Sequence, residues 1–217
     1  MKRGKFITFE GGEGSGKSTQ AARLAEKLRL LGHDVVLTRE PGGSPFAERL
    51  RRLLLDPETE PHSPLAEALL FYAARADHLE RVIRPALATG SWVLCDRFSD
   101  STRVYQGHAG RLSLVLIDQL ERIVVRPTVP DLTIMIDLDP VIGLDRAAQR
   151  RGRTAASATD AYEGRNLAFH SLLREGFLAI AHAEPQRCVV IDGSQSTEAV
   201  AAVILAAVEA RLLVGAR

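Results

Sequence analysis

The sequence has few of the residues that mark a disulfide-bonded or metal-binding protein. It contains two cysteines, Cys95 and Cys188, and each lies inside a short apolar run. Its six histidines are scattered without the spacing of metal ligands. Cysteines placed in this way are typical of small core side chains in a reducing compartment. The sequence therefore favours neither a disulfide framework nor a metal cluster.

Long hydrophobic runs and a charge excess of one sign are also missing. The basic segment 1–5 is followed by only four apolar or β-branched residues, too few for a secretory signal. Residues 197–214 are apolar but are interrupted by Glu198, Glu209 and Arg211, which favours a packed or dimerising helix over a membrane span. A net charge of +1 predicts no nucleic-acid or membrane partner. We expect a cytoplasmic protein and a homodimer.

Lysine is scarce, since only four of the 28 basic residues are lysines. One of the four, Lys17, lies in the segment "FEGGEGSGKST", residues 9–19. A lysine kept in so arginine-rich a chain indicates a place where a compact ammonium fits and a wide guanidinium does not. The presence of a lysine at position 17, within this segment, therefore needs a specific explanation.

That segment fits the pattern G-x-x-x-x-G-K-[ST] through Gly11, Gly16, Lys17 and Ser18. A short apolar strand precedes it, and helical spacing of apolar residues follows it. Glycines let the main chain turn its N–H groups toward an anion, and the helix that follows adds the positive end of its dipole. Lys17 would reach the β- and γ-phosphates of a nucleotide, and the Ser18 hydroxyl would hold Mg²⁺.

Strand and helix patterns alternate along the chain. The strands are predicted at residues 5–9, 34–38, 92–95, 132–138 and 187–191. Helices are predicted at residues 19–31, 45–55, 64–89, 113–125, 140–151 and 161–183. This alternation predicts a single α/β domain over residues 1–217, with a five-stranded parallel sheet flanked by helices in three layers. Residues 150–160 are basic and then small and polar, which suits disordered padding and a mobile lid equally well.

Ligands of open parallel sheets bind beyond the carboxyl ends of the strands. The residues that follow the predicted strands are therefore expected to define the site. They are residues 10–18, 39–43, 96–98, 139 and 192–194.

These segments help to separate three classes of phosphate-loop protein. A GTPase needs N-K-x-D, but the sole asparagine, Asn166, is followed by leucine. A motor ATPase usually carries an acidic pair after an apolar run, whereas here Asp96 is followed by Arg97. An arginine beside the metal's carboxylate is well placed to bind the phosphate of an acceptor, and Arg39 could reach the same place. The pattern favours a phosphotransferase that acts on a phosphorylated acceptor.

Three further motifs carry a family resemblance. "TREPGGS" (38–44), "LLFYAARADHLERVIRPAL" (69–87) and "DRFSDSTRVYQG" (96–107) follow the phosphate loop in order. Together they resemble the bacterial thymidylate kinase family, and the match continues less sharply through "DLDPVIGLDRA" and "AFHSLLREGF". The resemblance implies a P-loop kinase fold with a short lid, and Mg²⁺-dependent transfer of a phosphoryl group from ATP to dTMP. The alternative is a deoxynucleoside kinase that acts on thymidine.

The resemblance assigns roles to individual residues. Phe71 would stack on the thymine and Arg75 would bind a base carbonyl, while Tyr105 would exclude a ribose hydroxyl. The ATP-binding residues are Gly11, Gly12, Glu13, Gly14, Ser15, Gly16, Lys17, Ser18 and Thr19. The dTMP-binding residues are Glu13, Arg39, Phe71, Arg75, Arg97, Ser101, Thr102, Tyr105 and Gln106. The metal-binding residues are Ser18 and Asp96.

The lid departs from the family pattern. Members without an arginine in the phosphate loop often supply one from the lid as "D-R-[IF]-E", but this chain has "DAYE" at 160–163, with Ala161 in the place of that arginine. Charge on the transferred group still has to be neutralised. Arg150, Arg151 and Arg153 are the candidates, and with Lys17 and Arg97 they make up the predicted catalytic set.

Overall fold

The computed structural model describes residues 3–60, 62–153 and 161–213 of the chain. These residues contain a five-stranded sheet in which every neighbouring pair is parallel. Its strands are β1 (Phe6–Glu10), β2 (Val35–Arg39), β3 (Trp92–Asp96), β4 (Leu132–Asp137) and β5 (Cys188–Asp192). The order across the sheet is β2-β3-β1-β4-β5, so β1 lies at the centre. The predicted α/β fold with five parallel strands is confirmed, with strand bounds shifted by one residue at most ends.

Helices follow the strands along the chain. They are α1 (Lys17–Leu30), α2 (Pro45–Leu55), α3 (Pro64–His78), α4 (Arg84–Ala88), α5 (Ser99–Thr102), α6 (Leu114–Val124), α7 (Pro140–Arg153), α8 (Leu167–Ala183) and α9 (Thr197–Val208). Three π-helical turns continue them. These turns are Leu79–Ile83, Arg103–Ala109 and Glu209–Leu213.

Side chains of the strands alternate between the two faces of the sheet, and helices cover both faces. Ile7 of β1 packs into a core with α1 and α9, whereas its neighbour Phe6 packs into a second core with α3, the π-helical turn after it, and α6. Met135 of β4 joins a third core with α8. Two layers of helices around a buried sheet leave the carboxyl ends of the strands as the open edge where a site can form.

Two of the helices predicted between the strands differ from their predicted bounds by more than two residues. The helix expected at 64–89 is broken by the π-helical turn before Pro85, which lacks the N–H that would bond four residues back. The helix expected at 161–183 begins at Leu167, because the Asn166 side chain accepts a hydrogen bond from the Phe169 N–H and caps it there. Residues 161–165 form turns instead.

The lid segment is only partly described. Residues 150–153 form the last turn of α7, so this helix runs two residues beyond its predicted end. The remainder of the predicted lid, residues 154–160, lies outside the described residues. Within the described part of the chain, no helix combines the length and the apolar character that crossing a membrane requires.

Candidate active site

The phosphate loop joins the central strand β1 to α1 and packs tightly on its neighbours. Gly14 has φ +64°, and a Cβ added there would lie 2.0 Å from the carbonyl oxygen of Gly143. A Cβ on Gly11, at φ +138°, would lie 2.3 Å from the carbonyl oxygen of Ile136. Only glycine fits such close backbone contacts at these dihedral angles. The loop is therefore held against β4 and α7 in a curved shape.

Lys17 lies inside this curve and is only 7% exposed. Its Nζ donates to the carbonyl oxygen of Gly12 at 2.7 Å and to Ser15 Oγ at 3.3 Å. Burial, with the added repulsion of Arg97, lowers the pKa of Lys17 to about 8 against the opposing effect of nearby carboxylates. The ammonium is therefore still charged at neutral pH and is held among the loop's own acceptors.

The next residue, Ser18, lies beside the carboxyl end of β3. Its hydroxyl donates a hydrogen bond to Asp96 Oδ2. A hydroxyl and a carboxylate are hard oxygen donors that suit Mg²⁺, which binds one or two protein carboxylates and completes its shell with water and phosphate. No group of three or more acidic, histidine or cysteine side chains that could hold a metal occurs in the described ranges.

A cavity of about 440 Å³ opens beside the loop at the carboxyl ends of β1, β2 and β3. It brings together all nine residues that the resemblance assigns to dTMP binding. The lining includes Glu13, Lys17, Ser18, Arg39, Phe71, Arg75, Asp96, Arg97, Ser101, Thr102, Tyr105 and Gln106. These residues come from four separate segments of the chain, of which three follow predicted strands and the fourth, with Phe71 and Arg75, belongs to α3.

Arg97 is held in this pocket by several contacts. Its backbone is left-handed, with φ +66°, and its guanidinium lies 5.1 Å from the ring centroid of Tyr105. Nη2 donates to Glu13 Oε1 at 2.5 Å, and Nη1 donates to the Gly11 carbonyl oxygen and Ser101 Oγ, both at 3.2 Å. Burial alone would lower the pKa of Arg97, but Tyr105 and Glu13 outweigh it and raise that pKa. A permanent cation is thus fixed opposite Lys17.

Glu13 lies between these two cations. Burial raises its pKa, but Arg97 and Lys17 outweigh that effect and lower the pKa to about 2. Tyr105 also donates its hydroxyl proton to Glu13 Oε1 at 2.9 Å. Glu13 is therefore ionised throughout the physiological pH range.

The far end of the pocket is aromatic and better shielded. Phe71 is half-buried, and its ring centroid lies 6.4 Å from that of Tyr162. Arg75, one helical turn further along α3, is buried and donates to Thr102 Oγ1 at 3.1 Å. Gln106 Nε2 donates to Glu67 Oε2 at 2.9 Å. Aromatic rings therefore lie beside hydrogen-bonding groups here, an arrangement that suits a planar ligand with a polar edge.

The other predicted residues lie at the margins. Arg39 is exposed and forms an ion pair with Glu48 at 3.3 Å, with its side chain on the cavity wall. Arg150 also lines the cavity and donates to Glu163 Oε1 at 3.2 Å. The side chains of Arg151 and Arg153 lie outside the described residues.

A second cavity of about 540 Å³ lies on the other side of the phosphate loop. Its lining combines loop residues with Arg146 and the turn after β5, residues 193–197. Arg146 Nη1 donates to the carbonyl oxygen of Gly193 at 3.0 Å and so joins α7 to that turn. Thr19 and Arg150 line both cavities. The phosphate loop is therefore the boundary between two pockets.

Sequence reasoning missed several of the polar residues that shape this site. Glu10 is buried, and its carboxylate accepts from the N–H groups of Phe98 and Ser101 and from the Ser101 hydroxyl. Glu40 and Tyr162 were also missed as individual site residues. Glu10 and Glu40 belonged to segments expected at the site, but nothing in the sequence marked their carboxylates as buried.

A phosphate loop flanked by two cavities, with a fixed cation on the acceptor side, defines the class of P-loop nucleotide phosphotransferases. The comparisons with known proteins narrow this class. A family model described as thymidylate kinase matches residues 9–204. The chain is 54% identical over 212 residues to a thymidylate kinase of Caulobacter vibrioides, covering 98% of this chain and 99% of that protein. It is 51% identical over 212 residues to a thymidylate kinase of Nitrobacter winogradskyi, covering 98% of this chain and 91% of that protein.

The fold agrees with a solved member. The crystal structure of thymidylate kinase from Ehrlichia chaffeensis matches with a TM-score of 0.75 and 36% identity, over 95% of this chain and 99% of that one. The chain belongs to the thymidylate kinase family.

Proposed function

We propose that this protein transfers the γ-phosphoryl group of ATP to dTMP and produces dTDP and ADP. The observation that carries the proposal is that two cationic centres face one cavity. Lys17 belongs to the phosphate loop, whereas Arg97 follows β3 on the acceptor side. A donor triphosphate and an acceptor monophosphate need such a pair of centres. Membership of the thymidylate kinase family supports the same pair of substrates.

ATP is proposed to lie across the phosphate loop, with its nucleoside in the second cavity. The loop's N–H groups, Lys17 and the N-terminus of α1 would hold the β- and γ-phosphates. The turn 193–197 and Arg146 line the space left for the base and sugar. This arrangement directs the γ-phosphate toward the first cavity.

Mg²⁺ is proposed to bind beside Ser18 and Asp96. Ser18 and Asp96 would hold the metal, which when bound would neutralise part of the charge on the phosphates. The Ser18 hydroxyl and the Asp96 carboxylate already face each other, so little rearrangement of this pair is required.

The acceptor is proposed to lie in the first cavity with its phosphate at Arg97 and Arg39. Arginine suits this role because its planar fork binds phosphate oxygens in pairs. Phe71 would stack on the thymine, and Tyr105 would lie against the sugar. Arg97 is held by Glu13, which we propose contacts the 3′ hydroxyl of dTMP.

The chemistry needs little proton transfer. A phosphate monoester is already ionised at neutral pH, so the acceptor oxygen needs no strong general base. Positioning of the two substrates and neutralisation of charge supply the rate enhancement. Arg150 lines both cavities, and we propose that it would lie between donor and acceptor.

The second candidate, a kinase that acts on thymidine, would need a carboxylate base for a hydroxyl acceptor. In this structure Glu13 is engaged by Arg97 and Tyr105, and its pKa of about 2 makes it a poor proton acceptor. An ATP-dependent phosphorylation screen over nucleoside monophosphates and nucleosides separates the two candidates. We expect turnover with dTMP and none with thymidine.

A homodimer is proposed from an exposed apolar surface on α2, α3 and α6, which pack side by side. Its side chains are Phe46, Leu53, Leu65, Leu69, Leu114, Val115 and Ile123. Leu65 and Leu69 lie four residues apart and share one face of α3. Sedimentation should show a dimer that Leu69→Glu disrupts and that Leu30→Glu, on the distant end of α1, leaves intact. A monomeric wild type would contradict the proposal.

A cytoplasmic location is proposed from the two cysteines. Both are unpaired thiols in the described structure and both are buried. Their placement is typical of a reducing compartment.

A further inference from the structure

The guanidinium of Arg75 is buried yet incompletely bonded. Arg75 is 2% exposed and lies between the rings of Tyr72 and Phe98, at 5.0 and 5.2 Å from their centroids. Nε donates to Glu40 Oε2 at 2.7 Å, and Nη2 donates to Thr102 Oγ1 at 3.1 Å. Nη1 has no hydrogen-bond partner in the described structure. Because a buried donor without a partner is costly, Nη1 is a candidate for a ligand atom.

Glu40 is the residue that orients Arg75, and the second oxygen of its carboxylate contacts His78 in turn. Its second oxygen, Oε1, lies 3.0 Å from Nδ1 of His78, which is fully buried. Burial raises the pKa of Glu40, but Arg75 and His78 outweigh it and lower that pKa. An ionised carboxylate can only accept hydrogen bonds, so Nδ1 of His78 must be the donor. Nε2 of His78 lies 2.7 Å from the Thr38 hydroxyl, which completes the chain of contacts.

The backbone at Gly43 leaves room for the contact between Thr38 and His78. Gly43 has φ +83°, and a Cβ there would lie 2.3 Å from His78 Nε2 and 2.5 Å from Thr38 Oγ1. Any larger residue would displace the histidine. The second glycine of "TREPGGS" is therefore explained by the space that the Thr38–His78 contact occupies.

We propose that Thr38, His78 and Glu40 are positioning residues that fix the orientation of the Arg75 guanidinium. This fixed orientation makes the enzyme prefer a base with a carbonyl at its edge over a base with an amine there. The inference rests on the proposed function, because it concerns the base of the acceptor. Arginine carries only donors, so Nη1 pairs with a carbonyl oxygen and opposes an exocyclic amine. A site with a fixed donor discriminates well because the wrong base leaves that donor unpaired. The acceptors compared are dTMP and dCMP.

Two substitutions of His78 separate a positioning role from general packing. The amide of His78→Asn occupies the place of Nδ1 and can still donate to Glu40, whereas that of His78→Gln occupies the place of Nε2 and cannot. For His78→Gln we expect the KM for dTMP to rise about tenfold, as for a lost hydrogen bond to a charged group. The kcat and the KM for ATP should stay within about threefold of wild type, and the ratio of kcat/KM for dTMP over dCMP should fall by about tenfold. His78→Asn should retain most of that ratio.

The kinetic results distinguish a failure of this inference from a failure of the proposed function. Equal ratios in the two variants, or a wild-type ratio in His78→Gln, would overturn the inference. A wild-type enzyme that fails to phosphorylate dTMP would instead overturn the proposed function.

A second pair of variants decides the matter if the His78 substitutions prevent folding. Thr38→Val keeps the shape of a strand residue but removes the hydroxyl, while Thr38→Ser keeps the hydroxyl. Thr38→Val should lower the dTMP over dCMP ratio and Thr38→Ser should preserve it, both with melting temperatures near that of wild type. The same ratio in both folded variants would overturn the inference.

Discussion

Arg97 and Glu13 form an ion pair of 2.5 Å, although they are 84 residues apart in the sequence. Glu13 belongs to the loop proposed to hold ATP, and Arg97 follows β3, where the acceptor phosphate is proposed to bind. The two proposed substrate sites therefore share a half-buried charge pair. A displacement of Glu13 or of Arg97 would therefore affect the other residue's substrate site directly.

The Phe71 ring is expected to contribute to acceptor binding alone. Base stacking on an aromatic side chain is worth about 1–3 kcal/mol, so Phe71→Ala should raise the KM for dTMP roughly 5- to 150-fold. Phe71→Leu, which keeps apolar volume without a ring face, should also raise it, though less. Steady-state kinetics with each substrate varied in turn make the measurement. An equal effect on the KM for ATP would indicate that Phe71 is structural.

Tyr105 is expected to select the deoxy sugar by its bulk. Its ring is 8% exposed and is held beneath Arg97, so it cannot easily move away from a ribose hydroxyl. Tyr105→Ala should narrow the preference for dTMP over its ribose counterpart, whereas Tyr105→Phe, which keeps the ring, should not. An active Tyr105→Ala enzyme with an unchanged preference would remove the residue from the sugar site.

The lid arginines are expected to act on the transferred group. Alanine at the responsible position among Arg150, Arg151 and Arg153 should lower kcat by about 10³-fold or more, with little change in dTMP binding, since this is the scale of an arginine finger. The three single variants and the triple variant identify it, and Arg23→Ala on α1 serves as the control. Turnover of the triple variant within a few-fold of wild type would show that the catalytic arginine lies elsewhere, with Arg146 as the next candidate.

Glu10 should give the stability of the protein a distinctive pH dependence. Burial and the charge of Asp100 outweigh opposing contacts and raise its pKa to about 7, from 4.5 in a solvated carboxyl. Between these values the folded state keeps a proton that the unfolded state has lost. The free energy of unfolding should therefore fall as pH rises through this interval, by up to about 1.4 kcal/mol per pH unit.

Glu10→Gln provides the matched comparison, because its amide cannot titrate. Denaturant unfolding at pH 5 and pH 7.5 should show that the wild type loses more stability than the variant over this range. Groups distant from Glu10 titrate equally in both proteins and cancel in the difference. Identical pH dependence would contradict the assignment of the raised pKa.

The local parts of this structure could be predicted from sequence. The phosphate loop is set by glycine spacing, and the strands are set by apolar runs, so both were found close to their observed bounds. The pairing of Phe71 with Arg75 on one helix face also follows from spacing alone.

The polar contacts that orient these residues could not be predicted. Glu40 meets Arg75 across 35 residues, and Arg97 meets Glu13 across 84. Such pairs depend on which strand ends become neighbours, and a single sequence does not contain that information. The start of α8 was missed for a simpler reason, because the capping role of Asn166 was overlooked.

The central claim is tested most directly by following the label from γ-labelled ATP in the presence of both dTMP and thymidine. The account predicts that the label appears in the β-phosphate of dTDP, that thymidine remains unlabelled, and that folded Lys17→Ala produces almost no labelled product. Label in thymidine monophosphate formed from thymidine, or full turnover by folded Lys17→Ala, would contradict it.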